Sequence, residues 1–217
     1  ASPIAVDAGD PKRIEIGDDL LPEARVRWPA LAATLDPALA RWACGDVWSH
    51  ALEGLLSPLA RGDVEAELAA LLLELVATPI GNDTRWFDLG ARACTLQARA
   101  SVGLVHGIAH VLEPRLRTTP TLSDLAHHAR LCSALLAPVL RRNLALSPKA
   151  ADKLARHGID AGAVLARLDE LQGGTDFERL KPQVRAAWDQ IVRDPCTRTN
   201  VVLVRRDSAA LWLQETP

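Results

Sequence analysis

Six histidines stand in this chain: His50, His106, His110, His127, His128 and His157. Four of them fall into a pattern with one aspartate. Asp46-Val47-Trp48-Ser49-His50 places a carboxylate and an imidazole at positions i and i+4. On a helix such residues lie one above the other, with Cβ atoms roughly 5–6 Å apart. His106-Gly107-Ile108-Ala109-His110 repeats the spacing, and Gly107 and Ala109 are small enough to leave room for a neighbour close to the backbone. His127-His128 offers a further imidazole at the start of a third helical stretch. One oxygen and three nitrogens suit iron(II) or zinc rather than magnesium or calcium. Plainer readings exist for each residue. A single His-x3-His on a helix arises by chance, and Asp46 alone could cap a helix N-terminus. His157, next to Gly158, reads as a helix C-terminal residue favoured by the dipole, and it is assigned no function. His127 is expected to sit behind the donors or to face solvent, and it is the rival of His128 for the last ligand position.

The elements that must position these groups are helices. From about residue 31 the pattern is helical almost to the end. The segments expected are 46–56, closed by Ser57-Pro58; 63–77, capped by Asp63 with Val64, Leu68, Leu71, Leu72 and Leu75 on one face; and 84–112, ending at Glu113-Pro114. Further helices are expected at 123–144, at 148–157 with Pro148 in the first turn, at 160–172, at 177–193 and near 208–214. The first thirty residues differ. Pro3–Val6, Arg13–Ile16 and Ala24–Trp28 lean towards β structure, punctuated by Gly9-Asp10-Pro11 and Gly17-Asp18-Asp19. The fold class is therefore mainly α: an extended or β linker segment over residues 1–30, then a helical metal-binding domain over 31–217. No internal repeat and no standard Gly-rich phosphate loop is present in the sequence.

Composition narrows the function classes. A chain of 217 residues suits one domain, and 48% hydrophobic with 24% charged residues is an ordinary globular balance. A net charge of −2 lacks the basic excess of a nucleic-acid binder. The longest apolar run, 68–79, is interrupted by Glu74 and is too short to span a bilayer. Acids at Asp7, Asp10, Glu15, Asp18 and Asp19 are the wrong flank for a signal peptide. With Ala1 in place of Met, the sequence is expected to start downstream of a genetic start or to have lost residues before it. Cys44, Cys94, Cys132 and Cys196 form no CxxC pair. Two disulfides are conceivable, but buried free thiols in a reducing cytoplasm are the expectation.

Several runs resemble the iron-containing (group III) alcohol dehydrogenases. Cys44-Gly45-Asp46-Val47-Trp48-Ser49-His50-Ala51-Leu52-Glu53, followed by Leu56-Ser57-Pro58-Leu59-Ala60, is similar to the first metal motif of that family. Gly103-Leu104-Val105-His106-Gly107-Ile108-Ala109-His110 resembles the second. Ala134-Leu135-Leu136-Ala137-Pro138-Val139 with Asn143 looks like the segment after the last metal histidine, and Asp194-Pro195-Cys196-Thr197-Arg198-Thr199-Asn200 like the C-terminal signature. Lys12, Leu21-Pro22, Val26 and Leu31 are similar to the stretch joining the two family domains. The resemblance covers nearly the whole chain but only the second half of a family enzyme. It implies a helical domain like the C-terminal half of dehydroquinate synthase and iron alcohol dehydrogenase-like proteins.

The resemblance also implies roles. Asp46, His50 and His106 match the first three metal ligands. The family's fourth ligand is a His followed by Gly, and direct counting places Pro120 there. Aligning backward from Leu135-Leu136 and Asn143 gives His128 instead, with a longer loop before it and Ala129 where the family has Gly. His110 matches a histidine that faces the nicotinamide and the substrate, which implies pocket polarity or proton relay. The family binds NAD(P) through an N-terminal domain with Gly-Gly-Gly-Ser and Gly-Thr-Gly-Ser motifs, and neither occurs in this sequence; Gly173-Gly174 reads as an interhelical linker.

The implied function is a metal-dependent oxidoreductase subunit that interconverts an alcohol and an aldehyde by hydride transfer. It would hold Fe2+ or Zn2+ and use NAD(P) only if a separate nucleotide-binding subunit supplied that site. A homo-oligomer is the other expected assembly; nucleic acid and membrane are not expected as partners. Two alternatives stand beside it. One is a metal-dependent hydrolase or lyase acting without NAD(P). The other is a non-catalytic subunit of a biosynthetic complex, docked through Trp28, Trp42, Trp48 and Trp86, against the simpler expectation that these tryptophans are core.

Overall fold

The computed structural model describes residues 2–6, 13–20, 23–24, 28–171 and 176–213. Its N-terminal hairpin consists of β1 (Ser2–Val6) and β2 (Arg13–Gly17), antiparallel, with Ser2 opposite Gly17 and Val6 opposite Arg13. The third extended segment expected at 24–28 forms no strand at residues 24 and 28, and 25–27 lie outside the described residues, as do Lys12, Leu21-Pro22 and Gly173-Gly174.

Helix α1 runs from Pro37 to Leu56, nine residues earlier than the sequence reading. The cause is the pair Asp36-Pro37. The Asp36 carboxylate accepts the Ala38 and Leu39 N–H groups at 2.8 and 3.4 Å, and Pro37 supplies a pre-set φ at the first helical position. Asp46 therefore sits mid-helix and caps nothing. Helix α2 (Gly62–Ala77) starts one residue before Asp63, whose carboxylate instead binds Arg99 at 2.8 Å. Its face of Val64, Leu68, Leu71, Leu72 and Leu75 is buried as expected, worth up to about 1.5–3 kcal/mol for each large side chain.

The continuous 84–112 helix of the sequence reading is two helices, α3 (Arg85–Ala100) and α4 (Leu104–Arg117). Ser101 between them adopts φ 65°, in the left-handed region. Its hydroxyl lies 2.9 Å from Thr199 Oγ1, which also donates to the Val102 carbonyl at 2.6 Å. This break turns α4 back so that its N-terminus faces α1. Pro114 does not end α4; it is accommodated inside it. Residues 123–125 form a 3-10 turn, and α5 spans His128–Leu146, with Pro138 inside. Helices α6 (Pro148–Arg156), α7 (Ala161–Leu171), α8 (Asp176–Ala186), α9 (Trp188–Arg193) and α10 (Ala209–Leu213) follow. The expected 177–193 helix thus divides at Ala187.

Helix α1 lies at the centre, packed on α5, α3 and α2, while α4 packs on α5. Trp48, Leu52, Leu55, Leu72, Leu104, Leu112 and Leu135 fill the space between them. At the α1–α5 crossing a Cβ on Gly45 would fall 1.9 Å from Ser133 Oγ, so only glycine allows this approach. The neighbouring Asp46 is thereby brought within reach of α5. Asn143 and Asn200 exchange amide hydrogen bonds of 2.9 and 3.2 Å, fastening the C-terminal segment to α5.

All four cysteines are free; Cys44 and Cys132 are buried and Cys196 half-buried, but Cys94 is exposed, contrary to expectation. Of the four tryptophans weighed as docking residues, Trp48 is fully buried, Trp42 and Trp86 are partly covered, and Trp28 is 62% exposed. Among the described residues no helix is long and apolar enough to cross a membrane.

Candidate metal centre

Three helices each bring an i,i+4 pair of donor side chains to one place. α1 supplies Asp46 and His50, α4 supplies His106 and His110, and α5 supplies His128 and Cys132. The rings of His50 and His106 lie 4.4 Å apart, and those of His106 and His128 5.6 Å apart. Asp46 Oδ1 is 3.9 Å from His106 Nε2 and 3.7 Å from His128 Nε2. Its other oxygen, Oδ2, is 3.7 Å from His50 Nε2. The structure thus gathers Asp46, His50, His106 and His128 around one carboxylate. His127 occupies the N-cap of α5 with its ring 5.6 Å from that of Trp42, outside this group. His157 closes α6 and pairs with Glu65 at 2.9 Å, remote from the other histidines.

Two buried glutamates stand behind the imidazoles. Glu53, two turns after Asp46 on α1, lies 2.7 Å from His106 Nδ1 and accepts the Val105 and His106 backbone N–H groups at 2.6 and 3.3 Å. It caps the otherwise unsatisfied N-terminus of α4 while fixing the His106 ring. Glu113, two turns after His106, has Oε2 3.4 Å from His128 Nδ1. The Glu53 carboxylate hydrogen-bonded to His106 Nδ1 keeps the proton there and leaves Nε2 free to donate a lone pair, whereas His128 Nδ1 faces Glu113 without a hydrogen bond to it. Both Nε2 atoms point at Asp46.

Burial sets the electrostatics. It holds His106 well below the usual imidazole pKa, helped by the neighbouring His50, His128 and His110. It also lowers His50, although Asp46 pulls the other way. Burial pushes Glu53 up to about 7, against the N–H groups of Gly103, Val105 and His106 that favour its anion. Neutral imidazoles are the form that binds metal.

The donor atoms suit a cation. Asp46 Oδ1 and His106 Nε2 are buried and have no hydrogen-bond partner, a costly state for polar atoms unless something else occupies the space between them. Two atoms bound at about 2.1 Å to one tetrahedral ion lie about 3.4 Å apart, close to the spacings seen here. The ligand atoms of Asp46, His106, His128 and Cys132 all lie within 4.8 Å of one another. His110 falls in a second group, with Asp194 and Cys196; its Nδ1 is 3.5 Å from Asp194 Oδ2, and its ring stacks on His128 at 5.6 Å.

Glu53, Glu113, Cys132 and Asp194 escaped the sequence reading. The signal for three of them was present: Glu53 and Glu113 stand two helical turns after Asp46 and His106, and Cys132 one turn after His128. Asp194 joins His110 only through the fold.

Comparisons with protein-family models and with curated protein sequences find no match. Among solved structures the chain is similar to an iron-containing alcohol dehydrogenase from Thermococcus thioreducens, with TM-score 0.69 and 18% identity over 93% of this chain and 56% of that one. It is also similar to a protein of Ralstonia eutropha JMP134 described as a candidate alcohol dehydrogenase, with TM-score 0.65 and 23% identity over 97% of this chain and 61% of that one. The chain spans little more than half the length of these two. What the likeness establishes is architecture: the chain has the fold of the all-helical domain of iron-containing alcohol dehydrogenases.

Proposed function

We propose that this chain is the metal-binding part of an oxidoreductase that interconverts alcohols and aldehydes. Its nicotinamide nucleotide site would be supplied by a partner, a separate nucleotide-binding chain. The observation that carries the reading is the buried, unbonded Asp46 Oδ1 faced by two Nε2 atoms whose Nδ1 atoms face buried glutamates. Asp46, His106 and His128 would hold a divalent cation, with His50 beside the second carboxylate oxygen. When bound, such a cation supplies Lewis acidity to an alcohol or carbonyl oxygen.

The chain's own residues do the rest. Glu53 holds the His106 ring in one tautomer and orientation, and Glu113 offers a negative charge near His128 Nδ1. His106 is buried while Asp46 and His128 are each about a quarter exposed, so the donors lie at the floor of a site that a substrate oxygen could reach, with their contacts only partly shielded from water. His110, buried against Asp194, can hold a proton at Nδ1 and pass one at Nε2. In this reading it handles the proton of the substrate hydroxyl.

The test is elemental analysis of the purified chain, then an assay with NAD(P), simple alcohols and candidate nucleotide-binding partners. Near-stoichiometric iron or zinc, abolished by His106→Ala, with NAD(P)-linked turnover only when a partner is added, is the expected result. A chain that retains no divalent metal under metal-replete conditions overturns the proposal.

A further inference from the structure

We infer that Cys132 is itself a ligand of the metal centre, completing an Asp46–His106–His128–Cys132 set with a thiolate donor. This rests on the metal reading proposed above.

The three i,i+4 pairs are not equivalent. On α1, His50 Nε2 faces Asp46 Oδ2 rather than Oδ1, and His50 falls outside the group of mutually close ligand atoms to which Asp46, His106 and His128 belong. On α4, His110 turns to Asp194. On α5 alone, both members of the pair look into the same space. Cys132 Sγ lies 3.6 Å from His128 Nε2, and with Asp46 and His106 these atoms form one mutually close group. A sulfur bound at about 2.3 Å and a nitrogen at about 2.05 Å on one tetrahedral ion are about 3.6 Å apart. Cys132 is fully buried, so its sulfur has no solvent to turn to. The independent pointer to a ligand is the pair Asp46 Oδ1 and His106 Nε2, buried without hydrogen bonds in that same group; His106 is only 2% exposed.

On binding, the Sγ–H bond breaks and its proton leaves to solvent. The sulfur lone pair then forms the bond to the cation, with no change in oxidation state. A thiolate among nitrogen and oxygen donors shifts preference from iron(II) towards zinc. His50 is thereby left beside the site rather than among the four donors.

The experiment uses the whole chain, stripped of metal and titrated with cobalt(II). The expected result is a near-ultraviolet thiolate-to-cobalt charge-transfer band in the unmodified protein. The band is lost in Cys132→Ser and kept in His50→Ala, with far-UV circular dichroism confirming that both variants fold. Zinc affinity should fall by at least about 100-fold in Cys132→Ser, at or beyond the upper end of the 10–100-fold lost with an outer contact, and iron(II) affinity by less than about tenfold. Cobalt bound with visible d–d bands but no charge-transfer band in the unmodified protein overturns the inference while leaving the metal reading intact. So does a His50→Ala variant that loses the ion while Cys132→Ser keeps its zinc affinity. No cobalt binding at all overturns both.

Discussion

Glu53 joins two structural tasks through one carboxylate: its Oε2 lies 2.7 Å from His106 Nδ1, and its Oε1 accepts the Val105 N–H at 2.6 Å. The contact is possible because position 103 is glycine, where a Cβ would come within 2.8 Å of Glu53 Oε1. Glu53→Ala would leave buried donors of α4 and the His106 ring without their acceptor. Each such loss costs about 1–3 kcal/mol, and metal affinity should drop 10- to 100-fold, to roughly the extent seen when the support of a metal-bound histidine is removed. Urea denaturation and a metal titration on the same variant check both effects. Unchanged metal affinity would show that the His106 ring is held by other contacts.

His106→Ala and His157→Ala separate the site from the surface. The first removes a buried imidazole from the donor group and should strip the ion; the stabilisation that the ion gives by mass action then goes too. The second breaks only the 2.9 Å pair with Glu65, between side chains 25% and 16% exposed, and should cost no more than about 1 kcal/mol with metal content intact. Elemental analysis and thermal denaturation of the pair give the comparison. Metal lost from His157→Ala but retained in His106→Ala would place the site elsewhere.

Much of this site was legible because helical periodicity turns spacing into proximity. Asp46/His50 and His106/His110 read as one-face pairs, and His128 was reached through Leu135-Leu136 and Asn143 on the same helix. Glu53, Glu113 and Cys132 lay on those faces, but in the sequence they look like ordinary helical residues; only the helix crossings show which of them point inward. Boundaries failed where tertiary contacts overrode local pattern. The stretch 84–112 has helical composition throughout, and it breaks because Ser101 and Val102 bond to Thr199, a residue nearly a hundred positions away. The start of α1 was missed because Asp36-Pro37 precedes an amphipathic pattern too weak to announce itself.

Gly45 tests how closely α1 must approach α5. A Cβ there would sit 1.9 Å from Ser133 Oγ, 2.8 Å from its Cβ and 3.1 Å from its Cα. A rotamer change of Ser133 relieves the first clash but not the backbone contact. Gly45→Ala should therefore destabilise by about 1–3 kcal/mol, even though alanine is the better helix former. The helices would have to separate, moving Asp46 away from His128, so metal affinity should fall as well. Adding Ser133→Gly should recover part of both losses. Chemical denaturation and zinc titration of the single and double variants decide it; a Gly45→Ala protein as stable as the parent would mean that the crossing is compliant.

The segment leading into His128 is held by charge, which makes its anchoring depend on pH. Asp124, in the 3-10 turn before α5, receives Arg179 of α8 at 2.9 and 3.0 Å and Arg130 of α5 at 3.3 Å. Hydrogen bonding to Arg179 is the main cause that holds the Asp124 carboxyl below the usual aspartate value, with Arg130 adding to it. An acid whose pKa is lower folded than unfolded binds fewer protons in the native state. Its stabilisation is complete above the unfolded pKa of about 3.9 and drains away as pH falls through the lower folded value. Because the Asp124 side chain is 49% exposed, the contribution should stay under about 1 kcal/mol and shrink further in high salt. Asp124→Asn should accordingly be slightly less stable than the parent near neutrality, and the gap should close as the pH falls below the ordinary aspartate value. Urea midpoints of the two proteins as the pH is lowered measure the gap directly. A difference that persists unchanged into acid would show that the carboxylate's charge is not what fastens this turn.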